Sequence, residues 1–227
     1  MTGDPVMRVV SVNVSPVKTI EHRGTILTTG IFKEPVAGRV EVRRLGLAGD
    51  RQADPAVHGG IDKAVYAYSL ENHRFWEEEL GRSGLGWGYF GENLTVEGMD
   101  EEAIGIGDRF RVGTTLLEVS QPRTPCHKLA IRVGLDDFPR RFLASGRVGF
   151  YLRVLGEGTV GAGDSIERVA REPEALSVRH VLRLRYGAPR DREGARRAAW
   201  SAALSPGWKA AFMKQLADEA GPRGPDG

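Results

Sequence analysis

A single cysteine, Cys126, stands in a stretch whose residue types could support nucleophilic, redox or metal-binding chemistry. The stretch covers residues 121–129 and reads Q-P-R-T-P-C-H-K-L, and the 227-residue chain has no other cysteine. A disulfide within the chain is therefore excluded. An inert buried thiol, a redox sensor, a nucleophile and a metal ligand all remain open at this point.

The neighbours of Cys126 favour a reactive thiol over an inert one. Three cationic or titratable side chains lie within three positions of it: Arg123, His127 and Lys128. Nearby cations favour the thiolate, which is the form that attacks electrophiles and binds metals. Pro122 and Pro125 restrict the backbone on either side of the thiol. Such a thiolate also suits a soft metal that is carried by an anionic, phosphate-bearing ligand.

A Cys-His pair is one route by which this thiol could act as a nucleophile. His127 follows Cys126 directly, but adjacent side chains diverge in an extended chain. We therefore expect His58 or His73 to be the better base if the fold brings either of them close.

A second polar stretch, residues 46–68, reads G-L-A-G-D-R-Q-A-D-P-A-V-H-G-G-I-D-K-A-V-Y-A-Y. A long loop with little apolar content is more often functional than not, because a packed core gains nothing from it. The H-G-G at 58–60 is similar to an esterase oxyanion loop, yet the chain has no G-x-S-x-G motif, so a serine hydrolase is not expected. It has neither H-E-x-x-H nor paired cysteines, which disfavours a zinc site.

Short β-branched or alternating runs separated by glycines, from about residue 7 to 168, predict a mainly β domain with closed or curled sheets. One helix is expected within it, from Leu70 to Leu80, with Ser69 as its N-cap and Gly81 at its end. Two Gly-x-Gly-Asp stretches, at 105–108 and 161–164, are predicted to be tight turns, because neither completes a phosphate-binding motif.

The pattern changes after Pro173, where three short helices are expected: 177–186, 191–204 and 205–220. Helices this short must pack to be stable, and four apolar residues are predicted to form their shared core: Trp200, Trp208, Phe212 and Leu216. The chain is thus divided into a β domain at 1–170, a three-helix domain at 174–218 and a disordered tail at 219–227.

Composition limits the function classes. The formal net charge is only +2, so general electrostatic binding of nucleic acid is not expected. The N-terminus lacks a signal-peptide pattern, and no stretch is long enough for a transmembrane helix. We expect a cytoplasmic protein, with a dimer as one option for its assembly.

Six motifs follow one another along the chain: G-I-F-K-E-P-V at 30–36, G-L-A-G-D-R-Q-A-D at 46–54, V-H-G-G-I-D-K-A-V-Y-A-Y at 57–68, F-G-E-N-L-T-V at 90–96, V-S-Q-P-R-T-P-C-H-K-L at 119–129 and G-R-V-G-F-Y-L-R-V-L at 146–155. Together with the helical C-terminal segment, these motifs resemble the MOSC domain family, in its YiiM-like group.

The resemblance implies a β-barrel that binds molybdenum cofactor, with Cys126 as the protein ligand of the metal. It implies reduction of N-hydroxylated compounds, notably hydroxylaminopurine-type base analogues. The candidates for contacts to the cofactor's phosphate and pterin are Lys18, Lys33, Arg51, Lys63 and Arg123. His58 and Asn93 are expected to donate or orient hydrogen bonds near the substrate.

The chain has no C-x-x-C pair, no iron–sulfur cysteine set and no dinucleotide fingerprint. A separate reductase is therefore the expected electron source, and the arginine-rich C-terminal helices are a candidate docking surface for it. Two alternatives stay open: a metal-free thiol enzyme that uses Cys126 as nucleophile, and a non-catalytic carrier or sensor of the cofactor.

Overall fold

The computed structural model describes residues 6–53 and 59–220, and in these ranges strands dominate the first three quarters of the chain. The strands are β1 Arg8–Val14, β2 Lys18–His22, β3 Thr25–Thr29, β4 Glu34–Pro35, β5 Arg39–Arg43, β6 Gly46–Leu47, β7 Val65–Ser69, β8 Leu94–Glu97, β9 Arg109–Val112, β10 Thr115–Pro122, β11 Phe150–Gly156, β12 Gly158–Gly161 and β13 Ile166–Ala170. The helices are α1 Leu70–Leu80, α2 His127–Val133, α3 Phe138–Ala144, α4 Val178–Tyr186, α5 Arg192–Trp200 and α6 Pro206–Ala220.

Eight strands form the main sheet, in the order β13-β9-β10-β11-β7-β8-β1-β4. All neighbours are antiparallel except β7 and β8. The sheet curls strongly, because the amide of Val9 in β1 donates to the carbonyl of Asp164, and the amide of Ile166 in β13 donates to Met7. Two smaller sheets, β12-β5-β6 and the β2-β3 hairpin, complete the β structure. The expected mainly β fold with covering helices is confirmed.

The core lies between the main sheet and the helices α1 and α3. All five residues of β7 are buried, and its Tyr68 stacks on Phe142 of α3 with ring centroids 5.7 Å apart. Trp76 of α1 meets Phe138 of α3 at 4.7 Å. These aromatic contacts fix α3 against α1 and against β7, the strand that also carries Tyr66.

The helix expected at 70–80 is present with the expected caps. The side chain of Ser69 accepts from the amide of Asn72, and Gly81 ends α1 in the left-handed conformation. Both Gly-x-Gly-Asp stretches are turns. The carboxylates of Asp108 and Asp164 accept from the amides of Gly105 and Gly161 at 3.0 and 2.9 Å. These aspartates therefore close turns, as predicted.

The three C-terminal helices are present, and the side chain of Ser177 caps α4 as an acceptor for the amide of His180. The second helix ends at Trp200 rather than at Leu204. Residues 221–227 of the predicted tail lie outside the described residues. Across these described ranges, no helix combines the length and apolar character needed to cross a bilayer.

Trp200 was predicted to lie in the helical core, and this is wrong, because it is 76% exposed. The buried face of α5 consists of small residues, Ala195, Ala198 and Ala199. Small residues let α6 approach closely, and Trp208 and Phe212 of α6 supply the bulk. Trp200 comes one position after this face and turns to solvent.

Helices α2 and α3 were not predicted. Each has only seven residues, which is too few for a clear apolar period. Local signals were nevertheless present, since Gly134 ends α2 in the left-handed conformation and Pro139 lies in the first turn of α3, a position that proline favours.

The positions of Trp200 and Phe212 give a stability test. Phe212→Ala should lower the free energy of unfolding by about 3–5 kcal/mol, because it leaves a cavity at a fully buried position. Trp200→Ala should change it by no more than about 0.5 kcal/mol. Urea unfolding followed by circular dichroism measures both. Similar losses in the two variants would contradict the helix packing described here.

Candidate functional site

Cys126 lies between β10 and α2, at the point where the chain changes from strand to helix. Strand β10 ends at Pro122, and α2 begins at His127. The amide of Arg123 donates to the carbonyl of Gly149, and the carbonyl of Cys126 accepts from Leu129. These bonds fix the backbone on both sides of a thiol that is free and partly exposed.

One side of Cys126 faces a small cavity of about 90 Å³, which we call the cationic cavity. Its lining comprises Thr29, Gly30, Ile31, Lys33, Asp50, Arg51, Gln52, Ala53, Lys63, Tyr66, Gly91, Asn93, Arg123, Cys126, Lys128 and Tyr151. Among the lining residues that the structure describes, five are lysine or arginine and Asp50 is the only carboxylate. The cavity therefore favours an anionic ligand.

Asp50 organises this cavity through a set of buried polar contacts. Its carboxylate forms an ion pair with Lys33, and these two side chains are 5% and 8% exposed. It also accepts from the amide of Ser15 and from the side-chain amide of Asn93, both at 2.9 Å. Burial lowers the pKa of Lys33, whereas the charge of Asp50 opposes that shift.

Asn93 connects Asp50 to the main sheet. Its side-chain oxygen accepts from the backbone amide of Tyr66 in β7, and its backbone amide donates to the Tyr66 carbonyl. Since the side-chain nitrogen already donates to Asp50, Asn93 is placed to hold the walls of the cavity together.

Arg51 lies on the cavity because two backbone segments approach very closely. A Cβ added to Gly30 would lie 2.3 Å from the carbonyl oxygen of Arg51. Any other residue at position 30 would therefore displace the segment that carries Arg51.

Arg123 is the most unusual cation of the cavity, because it is only 5% exposed and its Nη1 atom has no hydrogen-bond partner. Its guanidinium lies over the rings of Tyr66 and Phe142, at 5.0 and 5.3 Å from their centroids. Burial alone would lower the pKa of Arg123, but the neighbouring Tyr66 and Tyr151 phenols and the Cys126 thiol keep it raised. An unpaired donor on a buried cation is costly, and an anionic ligand would satisfy it.

Two tyrosines line the cationic cavity together with Arg123. They belong to paired strands, and Tyr66 of β7 lies opposite Tyr151 of β11. Burial raises the pKa of both phenols, and Arg123 opposes the shift in each. Both phenols therefore stay protonated at neutral pH. The hydroxyl of Tyr66 donates to the carbonyl of Val148 at 2.8 Å.

A larger cavity of about 660 Å³ lies on another side of Cys126, and we call it the helical-side cavity. It shares Lys63, Cys126 and Tyr151 with the cationic cavity. Its lining comprises Gly59, Gly60, Ile61, Asp62, Lys63, Gln121, Thr124, Pro125, Cys126, Tyr151, Arg185, Tyr186, Ser205, Pro206, Gly207, Trp208 and Ala211. The C-terminal helices thus contribute directly to the surroundings of the thiol.

The structure brings together most of the residues predicted for the site. Lys33, Arg51, Lys63, Asn93 and Arg123 line the cationic cavity with Cys126. Burial lowers the pKa of Lys63, and Asp62 opposes that shift.

Four other residues considered from the sequence line neither of these two cavities or lie outside the described residues. Lys18 does not line the cavity, and its ammonium instead pairs with Glu34 at 2.6 Å. His58 lies outside the described residues. His73, the alternative base, is buried and bonded to Glu92 at 2.7 Å, and it lines neither cavity. His127 is exposed and borders a third cavity with Cys126, below the β2-β3 hairpin.

Two features of the site were not predicted from the sequence: the presence of Tyr66 and Tyr151 in its lining, and the structural role of Asp50. The two tyrosines lie in apolar strands, where an aromatic residue is ordinarily part of the core. Asp50 and Asn93 pair across 43 positions of the chain, and no local pattern indicates such a contact.

Within residues 6–53 and 59–220, no group of three or more His, Cys, Asp or Glu side chains is placed to hold a metal ion. A thiol beside a cationic cavity with an unpaired buried guanidinium fits a metal that arrives with an anionic organic ligand.

Two family patterns match the chain in tandem. The MOSC domain matches residues 54–167, and the YiiM-like 3-alpha helix domain matches residues 176–218. The chain belongs to the MOSC domain family. The crystal structure of YiiM from Geobacillus stearothermophilus superposes with a TM-score of 0.79 at 38% identity, over 92% of this chain and 99% of that one.

Two relatives are similar to this chain over different lengths. YflK of Bacillus subtilis is 42% identical over 207 residues, which are 91% of this chain and 93% of that protein. A Gibberella moniliformis protein named reductase is 35% identical over 168 residues. That match takes in 71% of this chain and 30% of the longer fungal protein.

The buried pair of Lys33 and Asp50 gives a second test. Asp50→Asn should lower the free energy of unfolding by roughly 3–5 kcal/mol, because Lys33 would stay buried without its counter-charge. The double variant K33M/D50N should recover most of this loss. Urea unfolding measures each variant.

The exposed pair of Lys18 and Glu34 provides a matched control, and Glu34→Gln should leave the urea midpoint nearly unchanged. Equal losses in D50N and E34Q would contradict the organising role given to Asp50.

Proposed function

We propose that this protein is an oxidoreductase that binds molybdenum cofactor and reduces N-hydroxylated compounds, such as hydroxylaminopurine-type base analogues, to amines. Membership of the MOSC family and the reductase-named fungal relative support an oxidoreductase. The observation that carries the proposal is the free thiol of Cys126 on a cavity with five cations, one of them the buried Arg123 with an unpaired nitrogen.

The residues of the cationic cavity divide into two roles under this proposal. Cys126 supplies the thiolate that would hold the metal, which then provides two-electron redox chemistry. Arg51, Lys63 and Arg123 would bind the phosphate and pterin of the cofactor, since guanidinium and ammonium groups pair with phosphate. The charge of Lys33 is balanced by the carboxylate of Asp50, so we give Lys33 a structural role in the cavity wall.

The proposed reaction converts R–NHOH, two electrons and two protons into R–NH₂ and water. The N–O bond breaks, the nitrogen is reduced, and the oxygen leaves as water. A separate reductase would supply the electrons. The protonated phenol of Tyr151 borders both cavities, where it can donate a hydrogen bond to the substrate oxygen.

The arginine-rich C-terminal helices offer little free charge for docking that reductase. This segment carries seven arginines between positions 179 and 197, namely Arg179, Arg183, Arg185, Arg190, Arg192, Arg196 and Arg197. Five of them are engaged within the chain. Arg179 and Arg183 pair with Glu102, Arg190 with Glu219 and Arg196 with Glu193, while Arg197 donates to a backbone carbonyl. These contacts reduce the positive charge that the helices present to an acidic partner.

Replacement of the thiol tests the metal ligand. The protein is purified from a host that makes molybdenum cofactor, and molybdenum and pterin are measured in the wild type and in Cys126→Ala. We expect near-stoichiometric metal and pterin in the wild type and loss of most of the metal in the variant. Metal at the wild-type level in Cys126→Ala would refute the assignment.

The same preparations separate the two alternatives. A metal-free thiol enzyme would keep its turnover in a host that cannot make the cofactor, and would lose it on alkylation of Cys126. A carrier or sensor would bind metal and pterin without reducing any N-hydroxylated compound.

Arg123→Gln tests the anion-binding role of the buried guanidinium. Pterin retention should fall by about tenfold or more, which corresponds to roughly 1.4 kcal/mol of lost binding free energy. Lys18→Gln removes an exposed cation outside the cavity and should leave pterin retention unchanged. Thermal unfolding of both variants shows whether Arg123→Gln remains folded, and full retention in a folded variant would contradict the role.

A further inference from the structure

The helical-side cavity has a different chemical character from the cationic cavity, although both meet at Cys126. Four cations line the cationic cavity but not the helical-side cavity: Lys33, Arg51, Arg123 and Lys128. Around the helical-side cavity the wall contains the rings of Tyr186 and Trp208. Asp62 on this wall is already paired with Arg153 at 2.7 Å. A strongly anionic ligand therefore suits the first cavity, and a flat, weakly charged one suits the second.

Tyr186 of α4 and Trp208 of α6 form the apolar part of this wall. Their ring centroids are 6.2 Å apart and their planes meet at 89°. Trp208 is held in place by Phe212, at 6.1 Å, whereas Tyr186 remains 47% exposed. Aromatic faces and edges in this arrangement favour contact with a planar ring. The exposed ring of Tyr186 has area left to bury against such a ligand.

Ser205 gives an independent sign of a ligand in this cavity. It is 3% exposed, its Oγ atom has no hydrogen-bond partner, and it lines the cavity. A buried hydroxyl without a partner costs free energy, and a heteroatom of a bound ring would satisfy it. Arg185 lines the same cavity, with its guanidinium 5.5 Å from the ring of Tyr186.

The volume of the cavity also suits a ligand of this kind. It is about 660 Å³, which lies within the range of roughly 300–1,000 Å³ that is usual for small-molecule sites. Cys126, Lys63 and Tyr151 border both cavities, so a ring bound here has room to place a substituent beside the thiol.

We propose that the helical-side cavity binds the planar heteroaromatic ring of the substrate, with Tyr186 and Trp208 as its apolar wall and Ser205 as a hydrogen-bonding partner. This inference rests on the proposed reductase function and assigns substrate selection to the C-terminal helices. It also explains why the three-helix segment accompanies the β domain in this chain.

Two substrates of different shape test this selection kinetically. The wild type, Tyr186→Ala and Ser205→Ala are compared with an N-hydroxylated purine and with a small aliphatic N-hydroxyl compound. We expect KM for the purine to rise about tenfold in each variant, a factor equal to roughly 1.4 kcal/mol. KM for the aliphatic compound should not change, and molybdenum content should stay at the wild-type level. Equal effects on both substrates would overturn the proposal.

Trp200→Ala is the matched control, because Trp200 is an exposed aromatic residue of the same helical segment and does not line the cavity. It should leave both KM values unchanged. Tyr186→Phe keeps the ring and should retain most of the selectivity for the purine. Loss of selectivity in Trp200→Ala as large as in Tyr186→Ala would show that the cavity is not responsible.

A binding measurement separates failure of this inference from failure of the proposed function. Adenine, which cannot be reduced by this chemistry, is titrated into the purified protein, and binding is followed by calorimetry. Binding to the wild type that weakens about tenfold in Tyr186→Ala supports the cavity assignment even if no reduction is detected. Adenine binding that is the same in both proteins, or absent from both, overturns it even if reduction is detected.

Discussion

The buried carboxylate of Asp50 is the contact on which the arrangement of the site depends. It pairs with Lys33, accepts from the backbone of Ser15 and accepts from the side chain of Asn93. Through Asn93 it is tied to β7, which carries Tyr66. A buried charge is tolerated only when it is paired and hydrogen-bonded. These contacts therefore hold three separate chain segments in one geometry, and Arg51 follows Asp50 directly into the cavity.

Arg123 complements Asp50, because it brings a buried positive charge that the described residues leave partly unsatisfied. Its guanidinium lies between aromatic rings, and one of its nitrogen atoms has no partner. The balance of charge around Cys126 is thus positive on the side of the cationic cavity. On the side of the C-terminal helices the wall is aromatic and more weakly charged. One thiol consequently lies between two environments of different chemistry, which is the arrangement that the proposed reaction between an anionic cofactor and a planar substrate would need.

Local signals were sufficient for much of the fold. Ser69 and Gly81 set the limits of α1, and Ser177 set the start of α4, because a cap is a contact between residues a few positions apart. Helices α2 and α3 were not predicted, because a helix of seven residues is too short to show a clear apolar periodicity. The exposure of Trp200 was also missed. Which face of a helix is buried depends on its partner, and here the partner α6 packs on the alanines of α5.

The sequence by itself determined that Cys126 is a lone thiol with cationic neighbours, and that residues 46–68 form a polar stretch with Asp50 and Arg51. Only the tertiary structure decided which distant groups meet there. It placed Tyr66 and Tyr151 on the same wall, and it left Lys18 paired with Glu34 outside the cavity. The physical reason is that the decisive contacts join residues far apart in the chain, such as Asp50 and Asn93 at a separation of 43 positions. Their formation depends on strand pairing and buried charge, which no short stretch of sequence encodes.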